Sequence, residues 1–344
     1  MTPGVGKSAR LCALGQRWGA HVEVVVGSIR EPSDFLGMPV VGADGTTRFA
    51  PPAWASALAG APSGLLFLDE LSSAAPAVQK AMLRVLQERV VGDLRLPDSV
   101  AIVAAANPIS TAVDGWFLAA PVANRLVHLE WETDLARWVE GSTVGFDRLG
   151  EPSLVDLLGE RSEARRVAAR TALLAFLRVR PDLAVKVPGS PERASLGWPS
   201  LRSWTNAAAA LGELDPADED AWLAVAKGAV GEEAASELLA WRVANDLYDP
   251  EAVLADPKIV DWTTRPDRIW ALTGALAALG TTGGARRWAK ALGALTACAE
   301  AKRPDLAIPA VRSLLEHRPE GADVPERTAE AFRELFVATG RWAA

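Results

Sequence analysis

The chain is 344 residues long, 49% hydrophobic and 23% charged, with a mean hydropathy of +0.10, which is typical of globular proteins and excludes a disordered chain. Its net charge of -7 argues against a broad nucleic-acid-binding surface. Cys12 and Cys298 are too far apart for a disulfide framework, as is usual in a reducing cytosol. No signal peptide is visible and the longest apolar runs, such as Ala271–Leu279, are too short to cross a bilayer, so the sequence predicts a soluble, cytoplasmic protein.

The first 150 residues alternate strand patterns with helix patterns. Short apolar runs bounded by turns are typical of buried parallel strands, and they occur at His21–Val26, Leu65–Asp69, Val100–Ala106 and Leu126–Leu129. Helix-forming segments occur at Lys7–Trp18, Ala53–Ala59 and Val78–Arg89. This alternation predicts a three-layer α/β sandwich with a parallel sheet.

The strand patterns stop after Gly150. Helices separated by turns that contain Gly or Pro are predicted at Ser162–Val179, Leu201–Leu211, Glu219–Val230, Glu232–Leu247, Asp267–Leu279, Ala285–Lys302, Leu306–His317 and Pro325–Gly340. In the last helix a stripe that we assign to the core consists of Ala329, Phe332, Leu335 and Phe336. The chain therefore divides into an α/β domain over residues 1–150, an all-α domain over 151–247 and a helical extension over 248–344.

The most specific motif stands at the start of the chain. Residues 2–8 read Thr2-Pro3-Gly4-Val5-Gly6-Lys7-Ser8 and match all but the first position of the phosphate-binding pattern G-x-x-x-x-G-K-[ST]. Glycines let backbone N–H groups converge on phosphates at the N-terminus of the following helix. Lys7 would contact the β- and γ-phosphates of ATP, and the Ser8 hydroxyl would hold Mg²⁺. The alternative interpretation is a glycine-rich turn with a surface lysine.

Two carboxylates follow the second predicted strand. Asp69 and Glu70 end the run Leu65–Leu68 and are expected at the carboxyl edge of the sheet, where open α/β folds bind ligands. Asp69 would bind Mg²⁺, and Glu70 would orient and deprotonate the attacking water. Two adjacent acids at a strand end are about as often a solvated turn as a catalytic pair. Together with the lysine loop, however, they point to ATP hydrolysis.

Two further polar residues flank predicted strands. Asn107 follows Val100–Ala106 and is placed to sense the γ-phosphate beside Glu70, although an amide here can also simply cap a turn. Arg125 precedes the last predicted strand. An arginine there is usually a solvated charge or a salt-bridge partner. Its functional interpretation is an arginine finger, which stabilises transition-state charge on a neighbouring subunit's nucleotide.

In kind and order, these motifs resemble those of the AAA+ ATPases: the loop at 2–8, LLFLDE at 65–70, AAANP at 104–108 and ANRL at 123–126. Two segments resemble the MoxR branch in particular: a hairpin within Met38–Ala50 that turns at Asp44-Gly45, and a second hairpin at Arg89–Leu96. The resemblance covers roughly residues 1–240. It implies the fold of a P-loop NTPase with ATP and Mg²⁺ as cofactors, and it makes residues 151–247 the helical lid.

The same resemblance implies how the chain works with others. It implies a homo-hexameric ring with a chaperone-like role in assembly or metal insertion, commonly with a von Willebrand A domain protein as partner. Arg202, within Pro199–Ser203, is similar to the lid arginine that reaches the γ-phosphate in its own chain. Because the family has a central strand directly before the phosphate loop, we expect this chain to be truncated at its N-terminus.

Two other functions fit parts of the pattern. The first is a nucleic-acid motor, since related hairpin-bearing ATPases move DNA, but the acidic charge counts against it. The second is a catalytically silent scaffold, which the missing strand would permit. The intact set of Lys7, Asp69 and Glu70 counts against that alternative.

Overall fold

The computed structural model describes residues 4–107, 115–132, 134–145, 163–245 and 247–333. The chain divides into two compact units. The first unit comprises Met1–Glu160 and Val187–Trp198, and the second comprises Arg161–Lys186 and Pro199–Ala344. No helix in the described ranges is long and apolar enough to span a membrane.

The first unit is built of short strands and helices. In chain order they are α1 (Lys7–Arg17), β1 (His21–Val26), α2 (Ser33–Leu36), β2 (Met38–Val41), β3 (Thr47–Ala50), α3 (Ala53–Gly60), β4 (Gly64–Asp69), α4 (Pro76–Glu88), β5 (Val90–Val91), β6 (Leu94–Arg95), β7 (Val100–Ala104), α5 (Ala120–Ala123), α6 (Leu135–Val144) and, after the helix α7 (Glu163–Val179) of the second unit, α8 (Pro191–Ala194). The sheet has the order β1-β4-β7, and both strand pairs are parallel. Three of the four predicted strands are therefore confirmed.

Helices cover both faces of this sheet. On one face α1 approaches closely, since a Cβ added at Gly15 would lie 2.3 Å from Val22 Cγ2 and 3.3 Å from Leu65 Cδ2. On the other face a buried cluster contains strand residues together with residues of α3 and α4: Val25, Leu66, Leu68, Trp54, Leu58, Met82 and Val85. Because β4 is covered on both faces, its run of consecutive apolar residues is buried throughout. The predicted three-layer α/β fold with a parallel sheet is confirmed.

The strand predicted at Leu126–Leu129 is wrong. The chain leaves α5 through a turn at Asn124 and Arg125 and is irregular over residues 127–130. A strand needs a neighbour for its backbone groups, and in the described part of the chain β7 pairs with β4 alone. The segment is instead tied back to α5, because His128 Nε2 donates to the Ala123 carbonyl at 2.9 Å.

Both hairpins predicted from the sequence are confirmed. In the first hairpin, β2 and β3 pair antiparallel, with Met38 opposite Ala50 and Val41 opposite Thr47. Its turn carries Gly45 at φ 76°, a conformation that favours glycine. In the second hairpin, β5 pairs antiparallel with β6 around Gly92, at φ 59°.

The described part of the second unit is helical. Its helices are α7 (Glu163–Val179), α9 (Leu201–Leu211), α10 (Glu219–Val230), α11 (Glu232–Asn245), α12 (Pro250–Ala255), α13 (Pro266–Thr282), α14 (Gly284–Glu300), α15 (Pro304–Glu316) and α16 (Glu326–Ala331). Trp288 is fully buried in the core around α13, and its Nε1 donates to the Leu314 carbonyl at 2.7 Å. Phe332 of the predicted last stripe is buried in that core, while Leu335 and Phe336 lie outside the described residues. The predicted all-α character is confirmed.

Candidate functional site

The glycine-rich loop leads directly into α1. Gly4 has φ 77° and Gly6 has φ 80°, a left-handed conformation that side-chain-bearing residues rarely adopt. Nothing lies within 4 Å of a Cβ built at either position, so the backbone conformation rather than crowding requires glycine there. Gly6 is the N-cap residue of α1, so the first-turn N–H groups of the helix adjoin the loop. Thr2 and Pro3, which belong to the predicted site, lie outside the described residues.

Two hydrogen bonds join this loop to the ends of two strands. Lys7 Nζ donates to Asn107 Oδ1 at 2.6 Å, and Ser8 Oγ donates to Asp69 Oδ2 at 2.5 Å. These four residues come from three separate places in the sequence. The structure therefore brings together the lysine, the hydroxyl, the acid and the amide that the sequence motifs single out.

The acidic pair stands at the carboxyl end of β4. Asp69 Oδ1 accepts the Glu70 N–H at 2.9 Å, which orients the Asp69 carboxylate toward Ser8. Glu70 has φ 53° and ψ 39°, an unfavourable conformation for a residue with a side chain. Non-glycine residues in this conformation cluster at functional sites, although Arg89 and Lys302 also adopt it at helix ends in this chain. The strain is held in place because the Leu71 N–H donates to the Ala105 carbonyl at 2.8 Å.

Two serines orient the predicted site residues, and the sequence analysis missed both. Ser28 Oγ donates to Glu70 Oε2, and Ser72 Oγ accepts the Asn107 N–H at 3.0 Å. Ser28 lies just beyond β1, whose last residue, Val26, is paired with Asp69. The neighbouring strand end is therefore the signal that could have identified Ser28. Ser72 is buried in the turn after Glu70.

The residues present fit a magnesium-bound phosphate. Ser8 and Asp69 offer hard oxygen ligands, which Mg²⁺ prefers, and this ion usually takes only one or two protein ligands beside water and substrate phosphate. Within the described ranges no three His, Cys, Asp or Glu side chains are grouped as a metal site. A Mg²⁺ ion held by Ser8 and Asp69 would therefore need phosphate and water oxygens to complete its coordination.

Arg125 lies in the turn after α5, and its side chain contacts α4 near the end of that helix. Its Nη1 donates to the Pro121 carbonyl at 2.5 Å, and its Nη2 donates to Gln87 Oε1 near the end of α4. Pro76 begins α4 and follows the acidic pair closely, so Gln87 is about 16 Å farther along the helix axis at 1.5 Å per residue. The guanidinium is thus held at the C-terminal end of α4.

Arg202 belongs to the second unit and is exposed. It is the second residue of α9, whose start is fixed by a reciprocal cap. Ser200 Oγ accepts the Ser203 N–H at 3.1 Å, and Ser203 Oγ accepts the Ser200 N–H at 2.9 Å. The predicted start of this helix is confirmed, while the role of Arg202 remains a prediction.

Comparisons with known proteins bear on part of this site. Residues 50–116 match the family model of the sigma-54 interaction domain, which is of the AAA+ ATPase type. The matched stretch contains Asp69, Glu70 and Asn107 but not the glycine-rich loop. No curated protein matches the chain. The chain is also similar to the solved structure of a candidate ATPase from Cytophaga hutchinsonii, with 15% identity, a TM-score of 0.43, and coverage of 69% of this chain and 82% of the other.

Proposed function

We propose that this chain binds and hydrolyses ATP as a cytoplasmic, MoxR-like AAA+ motor subunit. The observation that carries the proposal is the pair of hydrogen bonds from Lys7 to Asn107 and from Ser8 to Asp69. They place a phosphate-binding lysine and a metal-binding hydroxyl against an acid and an amide at one edge of a parallel sheet, where α/β folds bind ligands. The match of residues 50–116 to an AAA+ ATPase-type domain supports it.

Each residue has a distinct role in this proposal. The loop backbone from Thr2 to Gly6 cradles the phosphates, and Lys7 neutralises charge on the β- and γ-phosphates. Ser8 and Asp69 hold Mg²⁺, which supplies charge stabilisation when bound. Glu70 accepts a proton from the attacking water, and the Ser28 hydrogen bond fixes the orientation of its carboxylate. When ATP binds, Lys7 Nζ donates to a phosphate oxygen instead of to Asn107 Oδ1, and the Asn107 side chain then contacts the γ-phosphate.

We assign Arg125 and Arg202 to hydrolysis in a hexameric ring. The Gln87 contact holds Arg125 at the C-terminal end of α4, opposite the end that follows the acidic pair, as a residue that serves a neighbouring subunit requires. Arg202 would act within its own chain, from the lid. Both assignments rest on the motif resemblance.

The chaperone-like role and the partner are proposals of the same kind. The two hairpins support the likeness to MoxR. That likeness in turn implies that the subunit remodels a client together with a von Willebrand A domain protein. The description of the matching family model makes sigma-54 the competing partner. Affinity capture on this chain in the presence of ATP decides between the two candidate partners, each tested as a purified protein. We expect the von Willebrand A domain protein to be retained and sigma-54 not to be retained.

We further propose that a parallel strand leading into the glycine-rich loop pairs with the edge of β7 that faces away from β4. The proposal rests on the sheet itself, in which the described residues pair β7 on one side only. Adding such a strand should raise ATP affinity, because it would anchor the loop to the strand end that carries Asn107. Equal affinity with and without the added segment would refute this part of the proposal.

Separate tests of binding and turnover check the ATPase assignment. Lys7→Ala should abolish ATP binding in calorimetry, because it removes the positive charge that contacts the phosphates. Glu70→Gln should retain the affinity while turnover falls on the order of a hundredfold or more, as expected after loss of a general base. Glu88→Gln, which changes an exposed acid at the end of α4, serves as the control. Equal losses of affinity in Lys7→Ala and Glu70→Gln would make Glu70 structural and overturn the assignment.

A further inference from the structure

Asp93 forms hydrogen bonds that join the two hairpins of the first unit. The Phe49 N–H donates to Asp93 Oδ2 at 2.8 Å, and the Asp93 N–H donates to the Phe49 carbonyl at 2.9 Å. Phe49 belongs to β3 of the first hairpin, and Asp93 lies in the turn of the second. The aspartate therefore satisfies both backbone groups of one residue, as a neighbouring strand would.

The sequence explains why the backbone N–H and C=O of Phe49 are available to Asp93. The register of the first hairpin places Pro39 opposite Phe49. Proline has no N–H, so this position suits a pair that forms no hydrogen bonds across the ladder. The N–H and C=O of Phe49 then point to the outer edge of β3. Asp93 closes part of an edge that would otherwise be open to another strand.

Two glycines permit this close approach. A Cβ on Gly92 would lie 2.5 Å from the Phe49 carbonyl oxygen, and a Cβ on Gly37 would lie 2.8 Å from Gly92 Cα. Side chains hold the first hairpin weakly, because Met38, Val40 and Val41 are all exposed. Its attachment therefore depends on backbone contacts with the second hairpin.

The second hairpin is itself fastened to α4. Arg84, on α4, donates from Nη1 to the Gly92 carbonyl at 3.0 Å, and Val91 is fully buried. The helix starts shortly after Glu70 and ends at Glu88, directly before the second hairpin. A continuous path of helix and hydrogen bonds thus runs from the acidic pair through α4 to the first hairpin.

We infer that Asp93 is a positioning residue that makes the two hairpins one rigid body and couples the first hairpin to the state of the nucleotide site. The coupling rests on the proposed function, whereas the rigid attachment does not. Movement of α4 after nucleotide binding carries the second hairpin with it, and Asp93 transmits that movement to β3.

Hydrogen exchange measured by mass spectrometry tests both parts. In the wild-type chain, the amides of the two hairpins should open together. Asp93→Ala should raise exchange within 38–50 by about three- to tenfold, as expected for the loss of one hydrogen bond, and leave β4 protected. Asp93→Asn keeps an acceptor for the Phe49 N–H and should restore most of the protection. Asp98→Ala removes a nearby exposed carboxylate from the connection between β6 and β7 and should change nothing in the first hairpin.

Adding ATP and Mg²⁺ separates the inference from the proposed function. Protection of residues 4–18 reports nucleotide binding, and a change within 38–50 reports coupling. The inference predicts both changes in the wild type and only the first in Asp93→Ala. Protection of 4–18 with no change in the wild-type hairpin would overturn the coupling while the ATPase assignment stands. No protection of 4–18 would overturn the assignment. Unchanged hairpin exchange in Asp93→Ala without nucleotide would overturn the attachment.

Discussion

Removal of the Ser28 hydroxyl should slow ATP hydrolysis without weakening ATP binding. Ser28 Oγ donates to Glu70 Oε2, so Ser28→Ala deletes one donor to the proposed general base and leaves Lys7, Ser8 and Asp69 in place. A hydrogen bond to a charged group contributes about 1.5–3 kcal/mol. Ser28 is exposed, so water can replace part of that contribution, and we expect a loss of about 1 kcal/mol in orientation of the carboxylate.

A loss of this size corresponds to a fall in kcat of about fivefold, since 1.36 kcal/mol is tenfold in rate. Steady-state phosphate release and calorimetric ATP affinity are the two measurements. Ser28→Thr keeps the hydroxyl and should recover most of the rate, and Ser33→Ala, which alters an exposed serine of α2, should match the wild type. An Ser28→Ala variant with unchanged kcat, or with weakened affinity and normal kcat, would refute the orienting role.

Three further results are expected. Burial lowers the pKa of His128 below its ordinary value, so the unfolded state takes up a proton before the folded state does as the pH falls below about 6.5. The free energy of unfolding, measured with urea, should therefore fall as the pH is lowered from about 7, and His128→Gln should reduce that fall. An unchanged fall in the variant would contradict the role of His128. Burial raises the pKa of the Cys298 thiol to about 12, so its reactive thiolate form is scarce in the folded chain. Iodoacetamide should therefore label Cys12 in the folded chain and Cys298 only after unfolding. Rapid labelling of folded Cys298 would contradict its buried position. Arg125→Ala should bind ATP without hydrolysing it and regain activity when mixed with Glu70→Gln, whereas Arg202→Ala should regain less in that mixture; no recovery with Arg125→Ala would refute the ring assignment.

The parts of the fold that were predictable depend on local patterns. The apolar run ending at Asp69 has no polar residue to place in solvent, so it is recognisable as a strand buried on both faces. The turn at Asp44-Gly45 is recognisable because Gly45 needs a positive φ. The convergence of Lys7, Asp69 and Asn107 then follows from the carboxyl edge that parallel strands share.

The parts that were not predictable depend on contacts between distant segments. Leu126–Leu129 has the composition of a strand, but a strand also needs a neighbour, which composition cannot show. Ser28 is one of many serines until β1 places it beside Glu70. Asp93 likewise has the pattern of an ordinary turn residue until the second hairpin meets β3.

A crystal structure of Glu70→Gln with ATP and Mg²⁺ tests the central claim most directly. The account predicts the triphosphate at the N-terminus of α1, with Lys7 Nζ moved from Asn107 to within about 3 Å of a phosphate oxygen. It also predicts the metal beside Ser8 Oγ and the Asp69 carboxylate, directly or through water, in place of their mutual hydrogen bond. A nucleotide bound elsewhere, with the Lys7–Asn107 and Ser8–Asp69 hydrogen bonds intact, would contradict the account.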